Sequence, residues 1–271
     1  MEAVERPSDY AEIGGVKVGG QIVGSGPPVL LLHGWGGSQA EWQSNLEALA
    51  RHFKVYAPNL HQHGLSEPTF EQNLESGRRL FLAFLDAEGL EKVNLVGQSM
   101  GGLLALDFAL SYPDRVGKLV LVDSAGLGRE IHWGLRLVTL PLLGEVVCDF
   151  LWPRLRRHLV GRFHITPGAG PGQGSLARLL RMGVGLKGQK LWPGVAERLP
   201  TLRMPTLIMW GERDPLFPIS QAYAAHRAIP GSKLHIFPHC GHTPAVENPS
   251  EFDEKLLEFL REGIEPSTGV R

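Results

Sequence analysis

A chain of 271 residues, 43% hydrophobic and 20% charged, has the make-up of a globular protein with a sizeable core, either one large domain or two small ones. Its formal net charge of −1 gives no global pull towards nucleic acid or an anionic membrane, so no nucleic-acid partner is expected and a small, uncharged substrate fits best. Two cysteines, Cys148 and Cys240, are too few for a disulfide framework and lie in no zinc spacing, which suits a reducing, cytoplasmic location.

The N-terminus, Met1 to Arg6, has no apolar core of a signal peptide. The most hydrophobic later stretch, Leu137 to Trp152, is interrupted by Pro141, Glu145 and Asp149, so no integral membrane segment is expected. Residues 10–25 alternate loosely between glycines and predict an antiparallel hairpin at a sheet edge. Pro28 to Leu32 is a continuous apolar run, the mark of a strand buried on both faces of a parallel sheet, and it empties into His33-Gly34-Trp35-Gly36-Gly37.

Ser38-Gln39-Ala40-Glu41 is a capping box opening a helix with apolar positions Trp42, Leu46, Leu49 and Ala50. Lys54 to Pro58 predicts the next strand, followed by the turn-rich Asn59-Leu60-His61-Gln62-His63-Gly64-Leu65-Ser66 and a helix over about 72–88. Further strands are expected at 92–97, 118–124, 205–210 and 233–237, with helices after 99, over about 219–229, and from Asn248-Pro249, where Asn caps and Pro takes the first turn. Between 126 and 199 this alternation stops. Amphipathic pieces rich in Leu, Trp and Arg and a Gly/Pro-rich stretch at 166–175 read as a helical lid inserted into a core made of 1–125 and 200–271. Strands alternating with helices elsewhere predict an α/β fold with a mostly parallel, doubly wound sheet.

Val93 to Gly102 carries the chemistry: an apolar strand ends in Gly97-Gln98-Ser99-Met100-Gly101 and an amphipathic helix follows at once. A serine at such a turn sits in a strained conformation that lifts its hydroxyl clear of the sheet, and the two flanking glycines avoid collision. The helix that follows aims free N–H groups at the place where an oxyanion would form. A serine hydroxyl needs a histidine to take its proton and a carboxylate to fix that histidine's tautomer. Two loops at later strand ends supply candidates, Gly211-Glu212-Arg213-Asp214-Pro215 and Pro238-His239-Cys240-Gly241-His242.

These motifs resemble the α/β-hydrolase fold family, in its lid-bearing branch of serine esterases, haloperoxidase-like enzymes and carbon–carbon bond hydrolases. The carriers are His33-Gly34-Trp35, Gly97-Gln98-Ser99-Met100-Gly101-Gly102, Gly211-x-x-Asp214 and Gly241-His242, and the likeness covers nearly the whole chain outside the lid. The resemblance implies Ser99 as nucleophile, His242 as base and Asp214 as acid, with the backbone N–H groups of Trp35 and Met100 as the oxyanion hole. It implies a carboxylesterase-type serine hydrolase of a small-molecule ester. The turn at 59–66 departs from the family's usual Asp-x-Pro-Gly-His-Gly-x-Ser. Members that cleave ring-cleavage dienones typically follow the catalytic histidine with Trp, whereas Thr243 follows here.

Asp123 also ends a strand, where some family members carry the acid, but the Gly-x-x-Asp setting selects Asp214 and leaves Asp123 bonded to nearby backbone N–H groups. His239 reads as a polar loop residue. His33 with His61-x-His63 lacks the further ligands of a metal site, so no metal is expected. No phosphate-cradling glycine motif occurs, and no cofactor is implied. Arg154, Arg156, Arg157, His158 and Arg162 read as a solvated face of the lid. Leu137, Leu140, Leu142, Leu143, Val146, Val147, Phe150, Leu151 and Trp152 read as an apolar roof over the pocket or as packing of the lid on the core. Two alternatives to ester hydrolysis stand: carbon–carbon bond hydrolysis, and a non-catalytic ligand-binding protein of the same fold.

Overall fold

Alternate residues of the apolar runs enter opposite layers: Leu30 and Leu32 pack among residues of one core cluster, Val29 and Leu31 among those of the other. That is the pattern of a sheet covered on both faces. The computed structural model describes residues 8–13, 16–35, 37–60, 74–143, 146 and 194–263.

The strands are β1 (Ser8–Ile13), β2 (Val16–Val23), β3 (Pro28–Leu32), β4 (Lys54–Pro58), β5 (Val93–Gln98), β6 (Val116–Val122), β7 (Thr206–Gly211) and β8 (Lys233–Phe237). They form one sheet in the order β1-β2-β4-β3-β5-β6-β7-β8. The expected edge hairpin is present: β1 pairs antiparallel with β2, and β2 antiparallel with β4. From β4 to β8 all pairings are parallel. The chain runs from β3 outwards to β4 and then crosses back over β3 to β5. The strand order therefore reverses between β3 and β5, and the carboxyl ends of these two strands flank the crevice where ligands bind in open α/β sheets.

Helices α1 (Gln43–Ala50) and α7 (Pro249–Arg261) cover one face; α2 (Leu74–Ala87), α3 (Met100–Ser111) and α5 (Ser220–Ala228) cover the other. Helix α4 (Trp133–Val138) follows β6, and the short α6 (Pro244–Glu247) precedes α7. Trp42, fully buried, lies 6.2 Å from the Phe252 ring and helps fix α7 to the sheet. Truncating a side chain of that size to alanine costs about 3–5 kcal/mol. Asn45 ties the same region together, donating to Ala245 O and Asp253 Oδ1.

Three sequence expectations are revised. Helix α3 is not amphipathic: Gly101 to Ala109 are buried without interruption, because the helix lies against β5 and β6 on one side and against α2 and a 3-10 turn, Val195–Thr201, on the other. Ser38 caps as expected, accepting from Ala40 N, but the Glu41 carboxylate turns away from Ser38 to bind Gly34 N, and the first turn is a 3-10 turn, Gln39–Trp42. Asn248 stands at the start of α7 without a side-chain cap bond; its amide donates to Glu251 instead.

Of the expected lid, residues 144, 145 and 147–193 lie outside the described residues, and with them Cys148, the arginine cluster 154–162, the glycine-rich stretch and Val147, Phe150, Leu151 and Trp152. So do His61 and His63. Leu127, Ile131, Val195 and Leu199, near the two ends of the stretch 126–199, share a core cluster with Leu103 and Leu106. Trp133 (68% exposed), Leu142 (82%), Leu143 and Val146 are open to solvent. Among the described residues no helix is long and apolar enough to cross a membrane.

Candidate active site

Strand β5 delivers Ser99 at its carboxyl end. The residue has φ 54° and ψ −115°, a left-handed conformation that costs a non-glycine residue of order 1 kcal/mol or more, and it starts α3. Neither flanking glycine has room for a side chain. A Cβ on Gly97 would lie 2.4 Å from Gly101 O, and one on Gly101 would lie 2.2 Å from Leu32 O, so the elbow is pressed against both its own helix and β3. Ser99 N donates to Val122 O and Ser99 O accepts from Ala125 N, which pins the turn to the end of β6.

The loop after β3 packs against this elbow: a Cβ on Gly34 would meet Ser99 Cβ at 3.2 Å. Its backbone is fixed at several points. His33 is wholly buried, its Nε2 accepts Leu60 N at 2.8 Å, and its Nδ1 therefore carries the proton and donates to Gly34 O. Gly34 N donates to Glu41 Oε2 at 3.2 Å and Gly37 N to Gly34 O. With the Gly34 amide engaged, the next N–H along the loop is that of Trp35. Burial drives the Glu41 carboxyl up to about 7, against the opposing pull of the Gly34 amide and the nearby imidazole of His242.

The loops after β7 and β8 bring Asp214 and His242 into direct contact. His242 Nδ1 lies 2.9 Å from Asp214 Oδ2, and the Asp214 side chain has no solvent exposure. Asp214 Oδ1 accepts the amides of Leu216 and Phe217 at 2.7 and 3.2 Å, an Asx-type turn that fixes the carboxylate plane. A carboxylate can only accept, so Nδ1 of His242 carries a proton and Nε2 is left with its lone pair. Burial alone would lower the imidazole's pKa; the charges of Asp214, Glu41 and Glu247 outweigh it and raise it above 6.5. The Phe217 ring stands edge-on to the imidazole at 5.4 Å.

Two further residues hold His242, and neither carried a role in the sequence reading. Gln98 Nε2 donates to His242 O at 2.8 Å, linking the base loop to the elbow strand. Glu247 accepts Gly241 N at 2.7 Å, Thr243 N at 3.0 Å and Thr243 Oγ1 at 3.1 Å, so one carboxylate brackets His242 on both sides. The legible signal for Glu247 was Thr-Pro-x-x-Glu, a capping box stretched by one residue before a proline-initiated turn.

Asp123, the rival acid, is also buried here, with φ 41° and its Oδ1 accepting Gly211 N at 2.9 Å. Single ligand atoms of Asp123, Asp214 and His242 lie within 4.8 Å of one another. His239 is exposed on the loop surface with its Nδ1 2.6 Å from an Arg213 nitrogen, as expected of a polar loop residue. Cys240 is a free, buried thiol pushed up to about 11 by burial and the carboxylates around it, which keeps it neutral. Trp35 and Met100 are half-buried, Met100 against the core cluster that contains α3.

The family model described as alpha/beta hydrolase fold matches residues 27–141 and 174–249. A 2-hydroxy-6-oxononadienedioate/2-hydroxy-6-oxononatrienedioate hydrolase of Comamonas testosteroni is 31% identical over 260 residues, 89% of this chain and 90% of that protein. A pimeloyl-[acyl-carrier protein] methyl ester esterase of Vibrio vulnificus is 30% identical over 249 residues, 88% of this chain and 96% of the other. Among solved structures, the meta-cleavage product hydrolase CumD of Pseudomonas fluorescens superposes with a TM-score of 0.74 at 26% identity, covering 93% of this chain and 96% of that one. With the family model matching well over half of the chain, the chain belongs to the alpha/beta hydrolase fold family.

Proposed function

We propose that this protein is a serine hydrolase that cleaves carboxylic esters of small, largely apolar molecules through an acyl-enzyme, without a cofactor. The observation that carries the reading is the Asp214–His242 pair tied by Gln98 to the strained turn that presents Ser99. In this reading Nε2 of His242 takes the Ser99 proton as Oγ attacks the substrate carbonyl. The N–H groups of Trp35 and Met100 receive the oxyanion, with Glu41 occupying the Gly34 amide so that Trp35 faces the substrate. Collapse expels the alcohol with the proton returned by His242, and a water activated by the same nitrogen releases the acid. The residues of 126–199, as an inserted lid, would set acyl and alcohol preference.

Ser99→Ala should abolish hydrolysis of short p-nitrophenyl esters while leaving the melting temperature nearly unchanged. Wild-type activity in the alanine variant would refute the mechanism.

The relatives named above favour a second reading, carbon–carbon bond hydrolysis of ring-cleavage dienones by the same residues. Against it, the residue after His242 is Thr243, whose amide and hydroxyl are both spent on Glu247, so no aromatic side chain stands there. Comparing kcat/KM for a dienone with that for an ester ranks the two; a dienone value far above the ester value would reverse our order.

A further inference from the structure

We propose that Asp123 is a positioning residue of this site: a neutral carboxylic acid that donates its proton from Oδ2 to the Asp214 carboxylate and so holds that carboxylate towards His242. The inference rests on the reading of Asp214 and His242 as acid and base.

The argument begins with an unmatched atom. Asp123 has no solvent exposure, its Oδ1 accepts Gly211 N at 2.9 Å, and its Oδ2 is buried without a hydrogen-bond partner among the described residues. One oxygen of this carboxyl lies within 4.8 Å of an oxygen of another carboxylate, that of Asp214. Two ionised carboxylates so placed and shut off from water would repel each other, and a single proton relieves that repulsion and turns the unmatched oxygen into a donor.

The donors decide where the proton sits. Asp214 accepts two backbone amides and the imidazole N–H, three donors that a carboxylate can take. The Asp123 carboxyl, among the described residues, receives one amide, that of Gly211. Burial first, and then the charges of Asp214 and Glu247, push the Asp123 carboxyl well above the carboxylate range, with only the Gly211 amide opposing. The other titratable groups beside this pair are the Cys240 thiol, which burial keeps neutral, and the His242 imidazole, raised by Asp214, Glu41 and Glu247. The left-handed backbone at Asp123 is the local cost of the arrangement, one that Asp tolerates better than most residues.

The proton is read directly by carbon NMR of the whole protein labelled at its aspartate carboxyl carbons, a readout independent of turnover and blind to Glu41. One aspartate carbon should keep the shift of a neutral acid through neutral pH and be missing from Asp123→Asn. If every aspartate carbon has moved to its carboxylate shift by neutral pH, or if the neutral signal survives in Asp123→Asn, the proposal fails. The wild-type spectrum alone decides the first of these, even if the variant does not fold.

The second arm is the imidazole. Replacing a neutral acid by a neutral amide should leave the His242 pKa within about half a unit of wild type, whereas deleting a charge at this distance would lower it by about one unit or more. A drop of that size overturns the proposal. Asparagine also keeps both a donor for Asp214 and an acceptor for Gly211, so turnover should fall less than about tenfold in Asp123→Asn and at least about tenfold further in Asp123→Ala. Equal losses in the two variants would contradict the donor role. Failure of the ester reading would show as an inactive wild type with the neutral aspartate still present.

Discussion

Gln98, the residue before Ser99, donates its side-chain amide to the main-chain carbonyl of His242 across 2.8 Å, so the strand that presents the hydroxyl also holds the loop that presents the imidazole. Gln98→Leu keeps the volume and removes the donor, leaving a buried carbonyl unpaired at a cost of about 1–3 kcal/mol. The expected outcome is a turnover roughly 10–100-fold lower with KM little changed, because the loss falls on the alignment of Ser99 and His242 rather than on substrate contact. Steady-state kinetics on a p-nitrophenyl ester, with a thermal melt alongside, checks this; unaltered kcat would show that the tether is dispensable.

The pH profile reports on His242. Its imidazole is raised above 6.5 because three carboxylates outweigh burial, and a general base works only when neutral, so kcat/KM should fall on the acid side with a midpoint above 6.5. Glu247→Gln removes one of the anions that raise the imidazole and should move that midpoint to lower pH. It also leaves an amide where a carboxylate took Gly241 N and both donors of Thr243, so the plateau should drop as well. A midpoint that does not move would contradict the electrostatic role of Glu247.

Glu41 links the site to stability. The folded protein keeps the Glu41 proton up to about 7 whereas the unfolded chain releases it near 4.5, so a contribution fully present below the unfolded value is lost as pH rises through that window. Glu41 is partly exposed, which discounts the shift, and the loss should be roughly 1–2 kcal/mol. Urea unfolding on both sides of the window should show a larger decline in the wild type than in Glu41→Gln, which has no proton to lose there. Parallel declines would mean that Glu41 is already ionised in the folded protein at low pH.

Where the sequence was legible, the signal was local. The run Pro28 to Leu32 and the strand at Lys54 to Pro58 needed only their own side chains to be read, and both strands have the expected bounds. The two strand-end loops chosen as candidates do meet, Asp214 against His242, because loops at parallel strand ends converge on one side of the sheet. What escaped depends on partners far along the chain. Whether α3 is amphipathic or buried all round is decided by α2 and the turn at 195–201, and periodicity in twelve residues cannot report on them. Glu41 fits a capping box by spacing, but its carboxylate takes the Gly34 amide of the neighbouring loop instead of the Ser38 amide. The unpaired Oδ2 of Asp123 becomes visible only once β6 and β7 lie side by side.

Asp214→Asn preserves shape but presents the wrong hydrogen-bonding face to Nδ1 of His242, a change worth about 10⁴ in turnover in the serine protease precedent. The same order of loss is expected here, in a variant that retains its fold. If Asp214→Asn is nearly normal while Asp123→Asn is inactive, the acid is Asp123, and the roles of Ser99 and His242 stand.

The central claim is that the Ser99 hydroxyl is an activated nucleophile. Intact-protein mass spectrometry after exposure to a fluorophosphonate tests it most directly, with the modified peptide mapped. The account predicts one adduct per chain, located on Ser99 and lost in Ser99→Ala and in a variant lacking the His242 imidazole. A folded wild-type protein that takes up no label, or takes it up elsewhere than Ser99, would contradict it and favour a ligand-binding role for the site.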